Sequence, residues 1–285
     1  MEKIKFEDFV ADKDYTKVYY FLKDIRLSEN YITNLRKVSG YILINGKVAT
    51  MASPLKANDV LSINSSPNDK TNVQPCDIPL DIVFEDEHLL IVNKPSGLSC
   101  MPNRSHYANN LAGAICHYMR KADNFTLRIV NRLDKDTAGL IIVAKDSIAY
   151  QKIKNIDKTY FALCKGKIDT DIEINKNILT IQNNGINEQK RIVSEEGKPA
   201  ITYVKPVIFN QKYSLIKAKI KHGRTHQIRV HLSSIGHPLL GDELYGVKSE
   251  IISHTALVCK EISFVHPITL KSLNFTIPFP TDFQA

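Results

Sequence analysis

Two periods of hydrophobic spacing alternate along this chain, and the switches between them mark its elements. Apolar residues recur at helical spacing from Lys17 to Ile25 and again from Tyr31 to Ser39. The period then shortens in Tyr41-Ile-Leu-Ile-Asn-Gly-Lys-Val48, where the Asn45-Gly46 pair between apolar residues signals a hairpin, and Leu55 to Ile63 continues the extended pattern. Ser65 to Pro79 is rich in Ser, Pro, Asn and Asp, has no period, and reads as a linker. Beyond it, Leu80 to Asn93 predicts two strands split by the acidic turn Glu85-Asp86-Glu87-His88, followed by a turn at Lys94-Pro95-Ser96-Gly97-Leu98. Gly139 to Ala144 is a continuous apolar run, the mark of a central strand covered on both faces. Asp146 caps a predicted helix from Ser147 to Ile156, with Ala149, Ile153 and Ile156 on one face. Lys158 to Cys164 alternates as a strand, with Tyr160, Ala162 and Cys164 on one side and Thr159, Phe161 and Leu163 on the other. A last helix is predicted after Thr225 as N-cap, through Ile228, Leu232 and Ile235 to a stop at Gly236. Strands and helices mix without regular alternation, so the predicted class is α+β and not a doubly wound sheet.

Composition narrows the picture. At 285 residues and 43% apolar content the chain can fill one large core or two smaller ones. Its net charge of +8 and pI near 9.1 suit a polyanionic partner such as RNA, and equally an ordinary basic protein. Five scattered cysteines without a Cys-x-x-Cys pair read as reduced thiols of a cytosolic protein. No run approaches the ~18 apolar residues of a membrane span, and the acidic residues of the N-terminus do not suit an export signal. Neither a Gly-rich phosphate loop, nor a Gly-x-Ser-x-Gly elbow, nor a dinucleotide fingerprint is present, so redox cofactors and nucleotide hydrolysis have no support. Histidines 222, 226, 231 and 237 invite a metal, but a helix of this spacing gives them no shared set of ligand positions and no Cys lies nearby. No metal is expected.

The chemistry concentrates in Val130 to Lys145, where Asp134 and Asp136 occupy a polar turn directly before the buried run. A carboxylate on a turn pinned to a rigid core is well placed to react. Asn131-Arg132-Leu133-Asp134, then Lys135-Asp136-Thr137-Ala138-Gly139-Leu140, resembles the signature of the RluA family of pseudouridine synthases. Asn131 stands where that family commonly has histidine. The resemblance implies that Asp134 is the catalytic aspartate, attacking the uracil ring or the sugar or stabilising the reacting sugar, and that Arg132 meets RNA. Ile82 to Pro102 resembles the family's first motif, Tyr160 its second-motif tyrosine, and Gly223-Arg-Thr-His-Gln-Ile-Arg229, continuing to Asp242, its third, over about twenty residues. In the family an arginine of the third motif pairs with the aspartate, which implies that role for Arg229 and nearness to RNA for Arg224 and His226. A carboxylate held beside an arginine keeps its charge when buried. The Tyr160 ring is suited to stack on an extruded uracil, or to assist proton removal. His254 to Thr269 resembles the family's closing strand.

The N-terminal pattern, residues 12–64, resembles the S-four-like RNA-binding domain, which implies RNA contacts for Arg26, Arg36, Lys37 and Lys47. The implied organisation is that module at 12–64, a linker at 65–79 and a catalytic domain with a mixed, mainly antiparallel sheet at 80–285. The expected function is isomerisation of uridine to pseudouridine by a cytoplasmic monomer without cofactor, metal or membrane, acting on large-subunit ribosomal RNA. Transfer RNA as substrate, and a non-catalytic RNA-binding or ribosome-assembly protein, are the alternatives. A carboxylate-based hydrolase is a weaker third, because no second acid stands at a recognisable spacing.

Overall fold

The computed structural model describes residues 6–65, 73–102, 108–121, 126–181, 190–246, 248–249 and 252–283. The N-terminal part runs β1 (Phe6–Val10), α1 (Val18–Asp24), α2 (Glu29–Leu35), β2 (Ile42–Ile44), β3 (Lys47–Val48) and β4 (Val60–Asn64). Its four strands form an antiparallel sheet in the order β1-β4-β2-β3. Asn45 and Gly46 both take positive φ, 49° and 77°, the conformation that a two-residue hairpin turn requires. The strand β1 escapes the sequence pattern. The helix α2 starts and stops earlier than its spacing predicts, because the Ser28 hydroxyl accepts from the Tyr31 N–H and so sets its start.

The rest of the chain supplies β5 (Asp81–Glu85), β6 (Leu89–Lys94), α3 (Leu111–Tyr118), β7 (Ala138–Ala144), α4 (Ser147–Lys152), β8 (Asp157–Lys165), β9 (Ile172–Asn175), β10 (Ile178–Ile181) and β11 (Lys190–Val193). It continues with β12 (Ile201–Phe209), β13 (Tyr213–Ile220), α5 (Gln227–Ser233), β14 (Leu257–Val265) and β15 (Ser272–Thr276). A nine-stranded sheet has the order β5-β6-β7-β14-β8-β13-β12-β9, with β15 paired to β14, and a separate ribbon joins β10 to β11. Among the described residues only β7 and β14 run parallel; every other pair in this sheet is antiparallel. The fold is therefore α+β with a mixed, mainly antiparallel sheet, as the mixed pattern predicts. β7, placed between β6 and β14, is buried along its whole length except for half-buried Ala138.

Two expectations need correction. The helix α4 ends at Lys152, because Ile153 turns extended and Asn155 enters the left-handed region at φ 53°. Asp146 caps it as predicted, accepting from the Ala149 N–H at 2.7 Å. The helix α5 starts at Gln227 with His226, not Thr225, at its cap position, and His226 is left-handed at φ 57° with no side-chain cap. Gln227 steadies this entry instead, its Oε1 accepting from the Arg224 N–H at 3.0 Å.

Two hydrophobic clusters organise the chain, one built on the large sheet and one on the N-terminal sheet and helices. Ile148 of α4, fully buried, belongs to the N-terminal cluster and carries it onto the large sheet's side of the molecule. Polar contacts reinforce this seam, since Ser28 N–H donates to Gln151 Oε1 at 2.6 Å and Ser147 N–H donates to the Ser65 carbonyl at 2.9 Å. Part of the expected linker, 66–72, lies outside the described residues, whereas Cys76 N–H bonds the Gly113 carbonyl of α3.

Candidate active site

The turn that carries Asp134 is held from three sides. From below, Asn131 is buried, its Nδ2 donating to the Leu140 carbonyl at 3.1 Å and its Oδ1 accepting from the Ile142 N–H at 2.7 Å. This carboxamide acts as one more rung of the sheet and ties the start of the turn to β7. From the side, the Lys94-to-Cys100 turn clamps it. Lys94 has no solvent exposure, and its Nζ donates to the carbonyls of Pro95 and Leu98 at 2.8 Å and of Lys135 at 2.9 Å. Ser96 Oγ donates to the Asp136 carbonyl at 2.8 Å, and Cys100 Sγ lies 3.2 Å from the Leu133 carbonyl. Burial pushes the Lys94 ammonium down to about 8, against the opposing pull of Cys100, Asp136 and Asp134. Within the turn, Thr137 N–H bonds the Asp134 carbonyl at 3.1 Å.

Asp134 opens into a cleft of about 470 Å³, lined by Arg132, Tyr160, Arg224, His226 and Arg229 among others. All the residues expected in the catalytic centre thus meet in one place, although they come from the turn before β7, from β8 and from the segment leading into α5. Asp134 is half-buried, and among the described residues none forms an ion pair with it within 4 Å. Its carboxylate faces the cleft uncommitted. Arg132 is exposed at the rim.

The expected pairing of Arg229 with Asp134 is not what the structure has. Arg229, 4% exposed, grips the fully buried Asp242 through two bonds of 2.7 Å, from Nε to Oδ2 and from Nη2 to Oδ1. A planar guanidinium matches a carboxylate in this two-point geometry, and a buried carboxylate without such a partner would be costly. Burial alone would raise the Asp242 carboxyl, but Arg229 and the N–H groups of Tyr245 and Leu244 hold it below its ordinary value. Asp134 acts on Arg229 through charge at longer range.

Tyr160 is 5% exposed, and its hydroxyl is raised well above its ordinary 10 by burial, with Cys259 and Asp134 adding to the effect. It keeps its proton at neutral pH. Tyr245 completes the site. Its oxygen accepts from the Arg191 N–H at 2.8 Å and shares a hydrogen bond of 2.9 Å with His226 Nδ1. Burial, joined by Arg229 and Arg191 against the pull of Asp134, keeps the His226 ring below its ordinary 6.5. The guanidinium carbon of Arg229 lies 5.2 Å from the centre of the Tyr245 ring.

Three of the four clustered histidines turn to different partners, His226 to Tyr245, His231 to Thr202 and the Lys176 carbonyl, and His237 to the Lys165 carbonyl. Arg26, Arg36, Lys37 and Lys47 are all exposed, and none lines the Asp134 cleft. Sequence reading missed Lys94, Asp242 and Tyr245. A lysine ending an apolar strand just before proline was a usable signal for the first, and Asp242, standing at the end of the third-motif segment, for the second; Tyr245 carries none.

The family model described as RNA pseudouridylate synthase matches residues 88–234. An RNA pseudouridine synthase of Bacillus subtilis is 32% identical over 274 residues, covering 92% of this chain and 94% of that protein. The ribosomal large subunit pseudouridine synthase D of Zymomonas mobilis is 34% identical over 284 residues, covering 91% and 88%. Among solved structures, human RNA pseudouridylate synthase domain containing 1 superposes with a TM-score of 0.57 at 24% identity, over 71% of this chain and 84% of that one, which shows the shared fold. A turn clamped by a buried lysine, an open carboxylate at its tip and a matching family model across both lead to one conclusion: this chain belongs to the RNA pseudouridine synthases of the RluA family.

Proposed function

We propose that Asp134 is the catalytic carboxylate and that the substrate is large-subunit ribosomal RNA. The observation that carries the first part is the uncommitted Asp134 carboxylate, half-buried in a cleft beside Arg132, Tyr160 and His226. The reaction breaks the N1–C1′ bond of uridine, turns the base and joins C5 to C1′. The C5 hydrogen leaves as a proton and N1 takes one up, so no oxidant or energy source is needed. Asp134 faces the reacting nucleoside, the Tyr160 ring offers a stacking face, and the buried Arg229–Asp242 pair holds the wall behind them. A uridine in a helix must first leave its stack at a cost of a few kcal/mol, and Arg132 at the rim is placed to meet the displaced strand.

The ribosomal assignment is supported by the relatives from Zymomonas mobilis and Vibrio parahaemolyticus, whose names give the large ribosomal subunit. It is supported also by a net charge of +8 and by the N-terminal part, which we read as an S-four-like RNA-binding module at 12–64, joined through 65–79 to a catalytic domain at 80–285. The test uses ribosomal RNA from cells lacking this protein, tritiated at C5 of uridine. Wild type is expected to release tritium, and Asp134→Asn to release none while binding RNA within about threefold of wild type. Release by Asp134→Asn would remove that residue from the mechanism, and release from transfer RNA alone would overturn the substrate.

A further inference from the structure

Among the described residues that line the Asp134 cleft, Arg132, Lys158, Arg224 and Arg229 are basic, and Asp134 alone is acidic. The three arginines already have a place. Arg229 is gripped by Asp242, Arg224 Nε donates to the Pro199 carbonyl at 3.1 Å, and Arg132 stands exposed at the rim. Lys158 differs from them: it is half-buried near the start of β8, and among the described residues its ammonium has neither a hydrogen bond nor an ion pair. Two acids close by in the sheet are taken by other lysines. Asp157 pairs with Lys219 at 2.5 Å and Glu261 of β14 with Lys217 at 3.2 Å, and both belong with Thr159 to the other face of β8. Cys259, which feels the Lys158 charge, has its thiol pushed up to about 12 by burial and is neutral. Lys158 shares its own face with Tyr160, Ala162 and Cys164, all of them buried. An ammonium drawn partly out of water on an apolar face, without a counter-charge, costs free energy that an anionic ligand would offset.

The reaction names the anion. A uridine facing Asp134 is part of an RNA chain, so its phosphates come to the cleft with it. Residues 158 and 160 stand about 6.6 Å apart along β8, comparable with the separation of a base from the phosphate of its own nucleotide. A uracil beside Tyr160 therefore brings a phosphate within reach of the long Lys158 side chain. We propose that Lys158 binds a phosphate flanking the reacting uridine and so positions that nucleotide over Asp134. Arg132 meets the displaced strand at the rim, whereas Lys158 holds the extruded nucleotide itself. The cleft then favours a uridine within a chain over a free nucleoside. This inference rests on the reading of the Asp134 cleft as the place where the uridine reacts.

The test uses the full chain and tritium release from the ribosomal RNA described above, at increasing concentrations of KCl. Lys158→Met keeps the length of the side chain and removes its charge. It is expected to raise KM about 10-fold with kcat within about twofold, as loss of one charge-assisted contact made equally to substrate and transition state should. The fall of log(kcat/KM) with log[KCl] should become shallower by about 0.7–0.9, the share of one neutralised phosphate. Lys158→Arg, which keeps the charge, should recover most of the KM and the full slope. An unchanged KM, or a Lys158→Arg as weak as Lys158→Met, would overturn the contact. A raised KM with an unchanged salt slope would assign Lys158 to the uracil and overturn the phosphate. If wild type releases no tritium, filter binding of the same RNA decides. A weaker Kd and a flatter salt slope for Lys158→Met would then keep the contact while the activity reading falls, and equal values would remove both.

Discussion

Lys94 ends a strand whose preceding apolar residues, Leu89 to Val92, are fully buried, and it is itself without exposure. A charge in that position survives because three carbonyls surround it, and a neutral amine, with two N–H groups, can serve only two of them. The pH dependence follows from the shift. The unfolded chain keeps this proton up to the ordinary 10.5, whereas burial makes the folded chain release it near 8. Between those values the unfolded state binds more protons, so this group's contribution to stability rises with pH; below about 8 both states are charged and the burial penalty is felt in full. Urea unfolding of wild type and Lys94→Met at pH 7 and pH 10 measures it. The stability of wild type relative to the variant is expected to rise by roughly 2 kcal/mol across that interval. A flat difference would show that the ammonium is not held out of water. Asn131 teaches a related lesson, since both ends of its carboxamide are consumed by the β7 backbone and its role is to anchor the turn.

At the scale of elements, the junction of β7 with β14 sets where the reactive turn sits. These are the two strands that run parallel, pairing Ala138 with Val258 and Gly139 with Cys259. Gly139 has φ +119°, and a Cβ there would collide with the Cys259 backbone. Any side chain at this position is therefore opposed twice, by conformation and by contact. Gly139→Ala is expected to destabilise the fold by about 2–4 kcal/mol and to lower turnover in the surviving folded fraction, because the strand start must shift and the turn 133–137 shifts with it. The urea midpoint and the tritium-release rate check the two halves separately; an unchanged midpoint would mean that the strands part at no cost.

For the whole molecule, the decisive contact is the packing of α4 against the N-terminal helices and sheet. Ile148 is 0% exposed within that cluster, although the next helix residue, Ala149, packs into the core of the large sheet. A six-residue helix thus serves both cores. Ile148→Ala is expected to cost about 2–4 kcal/mol through the cavity it leaves, and to lower the first thermal transition of the chain. Calorimetry is the measurement, and an unchanged first transition would mean that the two cores do not depend on each other.

The sequence by itself determined the local elements, the class of the fold and the chemistry. Periodicity and turn residues place the 45–46 hairpin, the Asp146 cap and the buried strand 138–144, because these depend on neighbours within a few residues. The motif residues Asp134, Tyr160, Arg224, His226 and Arg229 were legible as a set, and all five do line one cleft. What only the tertiary structure decided is who pairs with whom. Arg229 is bound to Asp242 and not to Asp134, Tyr245 is hydrogen-bonded to His226 Nδ1, and Lys94 holds the carbonyl of Lys135 across 41 positions of chain. The limits of α2, α4 and α5 belong here too, since a side chain from outside the periodic run, such as Ser28, or a left-handed residue, such as Asn155 or His226, sets each boundary. The physical reason is common to all of these: a spacing records which face a residue occupies, while a hydrogen bond or an ion pair depends on which distant segment folding brings to that face.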